Sequence, residues 1–356
     1  MAKTQLLKVT LIGLGCMIQS IGCAPSGDTQ EAQQKREPVI ERQEAGTTEL
    51  LIGLHAVNDS IVWAAGTRGT FVRTCDGGQV WQAGTIPGAD TLQFRDVHAT
   101  DADRALVLSI GEGEASRIYA TNDGGETWDL VFVNDEPEAF FDCFDVWPDG
   151  RGIAFSDAVD GRFRLAISET GGEWESRPGP EAQPDEGGFA SSGTCLVVVD
   201  EGTVLIGTGN TDVARILRSE DGGDTWHATE TSLVAGEGAG IFTLAFADEH
   251  HGVAMGGDLK QPNAFTDNVA TTSDGGRTWR SGARPTFPGA VYGAAYAPGT
   301  STIVAVGPNG MSYSQDDAAS WMPADTLSYW SVDFGNGTTG WAVGPEGRIA
   351  KIMFGD

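Results

Sequence analysis

Three observations predict an all-β fold, a seven-bladed β-propeller. Glycine supplies 50 of the 356 residues, about twice its usual ~7% share, which argues for many turns and against long helices. An Asp-Gly-Gly turn closing on Trp recurs at steps of 47, 47, 51, 53 and 42 residues, the length of one four-stranded blade. Seven short apolar strands, each ending in a small residue, keep the same spacing. The hydrophobic fraction of 40%, with 10 Trp and 15 Phe, is enough to bury a sizeable core and excludes a wholly disordered chain.

At the start of the chain, Lys3 and Lys8 precede an apolar run from Val9 to Gly22. That run is shorter than the ~20 residues a membrane-spanning helix needs and reads as the core of a secretory signal. The following Ser20-Ile21-Gly22-Cys23-Ala24-Pro25 resembles a bacterial lipoprotein signal, in which the Cys after a small residue is lipidated and becomes the new N-terminus. An ordinary cleaved signal peptide is the alternative, and both place the folded part outside the cytoplasm, in the periplasm or cell envelope. The lipoprotein reading implies an outer-membrane or cell-surface anchor at Cys23. From Ala24 to Glu49 the chain lacks aromatics and is rich in Gln and Glu, the composition of a solvated tether. The expected organisation is a signal peptide over 1–22, a tether and closing strand over 23–45, and the propeller over 46–356.

The recurrent turn has four full copies, at Thr74–Trp81, Thr121–Trp128, Ser219–Trp226 and Ser273–Trp279, and degenerate copies at Ser168–Trp174 and Ser314–Trp321. These resemble Asp boxes, the BNR-type repeat, with structural aspartates Asp76, Asp123, Asp221, Asp274 and Asp316. The motif has a mechanical reason: the carboxylate accepts backbone N–H groups within the turn, the glycines take positive φ, and the Trp packs between sheets. It names no function.

The apolar strands run Trp63–Gly66, Leu106–Ser109, Ile153–Ser156, Leu205–Thr208, Val253–Gly256, Val304–Gly307 and Trp341–Gly344. Seven strands against six turns leave blade seven without its outermost strand. A segment around Val39 to Gly46 can supply it by pairing with Arg348 to Met353, closing the ring and removing the exposed edges of an open sheet.

With blade strands numbered one to four from the channel outward, the recurrent turns join strands three and four. Most departures from the repeat then fall on the opposite face in blades two to five, at connections carrying Glu112, Glu114, Asp157, Asp160, Asp212 and Asp258 to Asp267. The segments Phe140–Cys143, Gly187–Cys195 and Gly238–Phe242 join them there. Loops on a rigid scaffold concentrate binding and catalysis, so the candidate ligand residues are Asp142, Asp157, Asp160, Thr194 and Asp258. Carboxylates with few His suit a hard cation such as Ca²⁺, with Asp157 and Asp160 as metal ligands; a merely solvated acidic face is the plain alternative.

Those segments, with Ser156–Gly161, Gly207-Thr208-Gly209 and Gly256-Gly257-Asp258, resemble a bacterial family of exported seven-bladed propellers related to the photosystem II assembly-factor repeat domain, within the wider WD40/YVTN-like class. Members are often called oxidoreductases, yet the sequence holds no strand-to-helix G-x-G-x-x-G, no haem Cys-x-x-Cys-His and no copper-like His cluster. The resemblance implies an assembly or partner-binding role.

Charge narrows the partners. With 22 basic and 50 acidic residues the net charge is −28, a field that repels nucleic acids and anionic lipid surfaces. The expected function is therefore a lipid-anchored, monomeric propeller that binds a protein or glycan through the acidic face of blades two to five. The alternative is a glycoside hydrolase using two of Asp142, Asp157, Asp160 and Asp258. A sialidase is disfavoured, since no Phe/Tyr-Arg-Ile-Pro segment precedes Asp76. Ser192 and Cys195 have no His at a recognisable spacing to activate them, and His250-His251 are expected in a turn on the other face. Cys75, Cys143 and Cys195 remain in the mature chain, an odd number that cannot all pair internally; no zinc spacing is present, the plain reading is buried, hydrophobe-like thiols, and whether Cys143 and Cys195 pair stays open.

Overall fold

The computed structural model describes residues 1–2 and 37–355. The signal, the tether before residue 37, Cys16 and Cys23 lie outside the described residues. Among the described residues no helix is long and apolar enough to cross a membrane.

Seven four-stranded antiparallel sheets form the blades of a propeller. Blade 1 runs Leu51–Ala56, Val62–Gly66, Thr70–Thr74 and Gln82–Thr85 from the channel outward, and blades 2 to 6 repeat that order. Each second strand is an apolar run buried on both faces, as in Val62–Gly66 and Ile303–Gly307, because neighbouring blades cover both sides of it. The outermost strands, such as Gln82–Thr85, are exposed and polar. Between blades the core is aromatic: Trp63, Phe71, Phe94 and Tyr119 pack together, with Trp128 edge-on to Phe71 at 5.2 Å.

Blade 7 holds Ser331–Phe334, Thr339–Gly344 and Arg348–Met353, and its fourth strand is Val39–Glu44. The pairing runs from Val39 opposite Met353 to Glu44 opposite Arg348, as the missing outer strand requires. The closing strand thus belongs to the propeller body. Gln43 fastens it: its Oε1 accepts the indole N–H of Trp81 at 3.0 Å and of Trp341 at 3.3 Å, joining blades 1 and 7. On the other side Arg42 pairs with Asp325 of blade 6, which also accepts the Tyr329 hydroxyl at 2.8 Å.

The Asp-Gly-Gly turns join third to fourth strands. In each of five blades a Ser or Thr hydroxyl accepts the N–H four residues on, as Thr74 does from Gly78 at 3.0 Å and Ser219 from Gly223 at 2.8 Å. The Asp two residues after it accepts a further N–H, Asp221 from Thr225 at 2.8 Å and Asp316 from Ser320 at 2.9 Å. Both glycines have positive φ, 70° and 94° at Gly222 and Gly223. Hydrogen bonds to Thr127, Thr225 and Thr278 hold Asp123, Asp221 and Asp274 down at about 2.

Three expectations change. Asp157 and Asp258 are not loop residues: they sit in second strands that run longer than usual, Gly152–Val159 and Gly252–Asp258, leaving Asp160-Gly161 as a tight turn. Phe141–Val146 and Ala239–Phe246 are likewise inner strands and not connections. The cysteines are not three buried thiols, because Cys143 and Cys195 form a disulfide between the inner regions of blades 3 and 4 while Cys75 is free and exposed. His250-His251 do fall in the first turn of blade 5, on the Asp-Gly-Gly face.

Two outcomes follow from these contacts. Removing residues through 46 should lower the melting temperature well below that of a chain beginning at 37, and Gln43→Ala should by itself cost about 1–3 kcal/mol by stranding two indole N–H groups; equal melting of the two truncations would show that the ring does not depend on this strand. The disulfide closes a loop with a sequence separation of 52, so the Cys143→Ser/Cys195→Ser chain should be less stable in urea by about 4 kcal/mol on the chain-entropy estimate.

Candidate functional site

One position of the inner strand builds the channel mouth on the face away from the Asp-Gly-Gly turns. In blades 1, 2, 3 and 5 the inner strand breaks register at a bulge, placing Ile52, Arg95, Asp142 and Phe242 out of the ladder. Bulges re-aim a side chain at the rim of a sheet. Thr194, Tyr292 and Trp330 hold the equivalent place in blades 4, 6 and 7, each three residues before the inner-strand residue, Val197, Ala295 or Asp333, that pairs with the start of the apolar second strand. Seven blades thus bring one Ile, one Arg, one Asp, one Thr and three aromatics around one opening.

Arg95 is the cation of this ring. Its Nη1 donates to the Ala190 carbonyl at 2.6 Å and its Nη2 to Gln93 Oε1 at 3.2 Å, with the guanidinium 5.1 Å from the Trp330 ring centroid. Trp330 packs on Tyr292 at 4.9 Å, and Phe242 lies 6.1 Å from Tyr292 and 4.3 Å from Phe189. Arg95, Tyr292, Trp330 and Phe189 are half-buried and reach solvent, whereas Phe242 is buried. Burial lowers the Arg95 pKa, and the Asp142 charge opposes that shift.

Beside Arg95 lie two carboxylates. Asp142 is buried, and burial followed by repulsion from Asp157 pushes its pKa well above the carboxylate range, against the pull of Arg95. Asp157 is pushed up to about 6 by burial, although its Oδ1 accepts the Gly188 N–H at 2.8 Å. A glycine is required over each: a Cβ on Gly187 would stand 2.6 Å from Asp157 Oδ1, and one on Gly188 would stand 2.8 Å from Asp142 Oδ2.

The segment 187–195 fills the mouth. Ser191 and Ser192 donate to the Tyr292 carbonyl at 3.1 and 2.6 Å, and the Thr194 hydroxyl bonds those of Ser192 and Thr243 at 2.8 and 2.7 Å. Before it, the fully buried Glu186 carboxylate receives Arg215 through two nitrogens, the Thr208 hydroxyl and the Gln183 N–H.

The channel's other end is a cavity of about 230 Å³ lined by His55, His98, Asp96, Asp145 and Asp333 on one side and by Leu196, Leu244 and Ala294 on the other. Its polar residues stitch blade to blade. Asp333 accepts the Ala56 N–H, His55 the Ala99 N–H, Asp96 the Phe144 N–H and Asp145 the Val198 N–H, at 2.8, 2.9, 2.8 and 2.8 Å. Burial pushes Asp333 up to about 6 and His55 well down.

Of the five candidate residues, Asp142 and Asp157 share the site and Thr194 lies in the segment that plugs it. Asp160 is exposed at a hairpin tip with φ 53°, beside Arg164. Asp258 is engaged in its own turn, accepting the Lys260 N–H at 2.8 Å and the Gln261 amide at 2.6 Å. Among the described residues no group of three His, Cys, Asp or Glu side chains is arranged to hold a metal ion. Sequence reasoning missed Arg95, Tyr292, Trp330 and the Glu186–Arg215 pair. Aligning the residue just before each inner strand's ladder would have exposed the first three.

No protein-family model matches the chain. The "Photosystem II assembly lipoprotein Ycf48" of Synechococcus sp. (strain CC9902) is 23% identical over 234 residues, a match spanning 54% of this chain and 65% of that protein. Among solved structures, "YCF48 bound to D1 peptide" has 15% identity and a TM-score of 0.63, covering 90% of this chain and 96% of that one. YCF48 from Cyanidioschyzon merolae has 16% identity and the same TM-score, covering 88% and 98%. The RRP9 WD40 repeats reach a TM-score of 0.62 at 12% identity, covering 90% and 99%, so the fold alone is widely shared. In sequence and in fold together, the chain is similar to the photosystem II assembly-factor propellers.

Proposed function

We propose that this chain is an exported propeller, lipid-anchored through Cys23, that binds a protein partner at the channel mouth opposite the Asp-Gly-Gly turns. The observation that carries this reading is the half-exposed group of Arg95, Tyr292 and Trp330, a cation stacked on aromatics at the rim of a rigid ring. Trp, Tyr and Arg are the residues that most often dominate binding energy at protein interfaces. A similar propeller is known with a peptide bound, and a relative is named as an assembly lipoprotein, which supports both the partner class and an extracytoplasmic place. Around this centre stand the exposed carboxylates Glu112, Glu114 and Asp160, so a segment with an anionic or aromatic tip and a basic flank fits best.

With Gly188 seated over it, Asp142 has no room for a sugar oxygen or an attacking water, which speaks against a glycosidase pair that includes it.

Peptides selected from a displayed random library on the wild-type chain should bind Arg95→Ala and Trp330→Ala at least about tenfold more weakly, the effect of losing roughly 1.4 kcal/mol or more. Unchanged affinity in both variants would move the working surface elsewhere. For the anchor, mass spectrometry of the membrane fraction should show a diacylglyceryl adduct on Cys23, and Cys23→Ser should release the chain; an unmodified mature N-terminus at another residue would refute the anchor. Fractionation of the same cells shows which membrane carries it.

A further inference from the structure

The segment Gly187–Thr194 crosses the channel mouth between two fixed ends. Glu186, buried and paired with Arg215, holds one end, and the Cys143–Cys195 disulfide holds the other. Between them the chain reads Gly-Gly-Phe-Ala-Ser-Ser-Gly-Thr, with Gly193 at φ 83°, so it is free of bulky anchors except Phe189.

Beneath it lie three carboxylates with too little positive charge: Asp142 and Asp157 under Gly188 and Gly187, and the buried Asp96 under Gly193, which burial also pushes well up while it accepts the Phe144 N–H. Asp142 Oδ2 is buried and has no hydrogen-bond partner among the described residues. The facing cation is Arg95 of blade 2, whose Nη1 and Nη2 are engaged by the Ala190 carbonyl and the Gln93 side chain. Tyr292 of blade 6 faces Arg95, and the Gly187–Thr194 segment brings no ionisable side chain. A buried carboxylate and a half-buried one beside it cannot both ionise cheaply near one cation, and a proton relieves the repulsion.

We propose that Gly187–Thr194 is a flap latched shut by one proton held between Asp142 and Asp157, and that loss of this proton lets the flap lift from the channel mouth. The inference rests on the mouth being the working surface, and it names how access to that surface is regulated. Gly188 touches both carboxylates, so its departure opens the buried Asp142 to water and widens the exposure that Asp157 already has. Lifting also breaks the Ala190 bond to Arg95, the Ser191 and Ser192 bonds to the Tyr292 carbonyl and the backbone pair between Gly187 and Gly209, and it separates Phe189 from Phe242.

The sign follows from linkage. Asp157 lies at about 6 and Asp142 is raised well above the carboxylate range, so the closed form binds protons more tightly than an open, solvated one. The latch is at full strength in acid, weakens as pH rises above the ordinary carboxylate range, and is lost once pH passes the closed-state Asp142 value. Within that window one released proton raises the opening constant about tenfold per pH unit.

Amide hydrogen exchange on the full chain from pH 5 to 9, corrected for intrinsic rates, reads this directly. Wild-type flap amides should lose protection along that slope, while the Val204–Gly207 strand of blade 4 does not. Asp142→Asn should lose about one proton's worth of that slope above about pH 6, where Asp157 is already ionised. Asp157→Asn, which can still accept the Gly188 N–H and serves if the first variant does not fold, should keep a slope that ends at lower pH, because burial still raises Asp142 and only the repulsion is gone. A flat wild-type profile, an undiminished slope above about pH 6 in Asp142→Asn, or an unmoved end point in Asp157→Asn overturns the latch. Peptide binding that depends on Arg95 beside a pH-independent flap would remove the latch and leave the binding reading standing; a sloping flap with no Arg95-dependent binding would do the reverse.

Discussion

Everything in this molecule depends on closing the ring. Seven sheets radiating from a channel have no stable order unless the last one packs on the first, and here blade 7 is completed by a strand from the other end of the chain. The closure is polar as well as apolar: Gln43 satisfies two indole N–H groups on different blades, and each would otherwise be a buried donor without a partner. With the circle fixed, every inner strand is held at a set distance from the channel. A side chain at one repeated position then has a predetermined neighbour in the next blade.

The inner strands use two such positions in opposite ways. At the end near the Asp-Gly-Gly turns, His55, Asp145 and Asp333 occupy equivalent places, each capping a backbone N–H of the following blade. Those residues look like a catalytic cluster in a list of polar side chains, yet their geometry is that of stitching. At the other end a bulge lifts Arg95 out of the ladder, and Tyr292 and Trp330 stand just ahead of theirs. Arg95 there finds an aromatic face and a loop carbonyl. The scaffold role and the candidate site thus differ by whether the residue lies within the ladder or outside it.

The propeller was legible because its period is written in residues that have a local mechanical duty. The Asp, the two glycines and the Trp of each turn make their contacts within a few residues or with the adjacent blade, so the repeat survives as a string. The missing outer strand was legible for the same reason, as a gap in a count. The site was only half legible. Asp142 and Asp157 stood out as departures from the repeat, but the residues that give them meaning, Arg95 and Gly188, come from another blade and from a loop that contributes backbone atoms. The disulfide was open for a similar reason: Cys143 and Cys195 are 52 residues apart, and their approach is set by the angle between blades. Asp160 and Asp258 misled because a turn-forming Asp and a ligand Asp look alike in one dimension.

Net charge and contact chemistry also separate in this fold. The charge of −28 sets a long-range field that is repulsive to polyanions. It does not set the centre of the channel mouth, where Arg95 and three aromatics stand, Asp142 is buried beneath Gly188 and Asp157 is half-covered by Gly187. On the proposed partner-binding reading, a partner drawn in by the acidic rim would meet, at the point of contact, a surface of the other character. The field would select its flank and the ring would seat its tip, two independent requirements that one segment must satisfy together. Specificity of that kind comes from rejecting ligands that meet one condition alone.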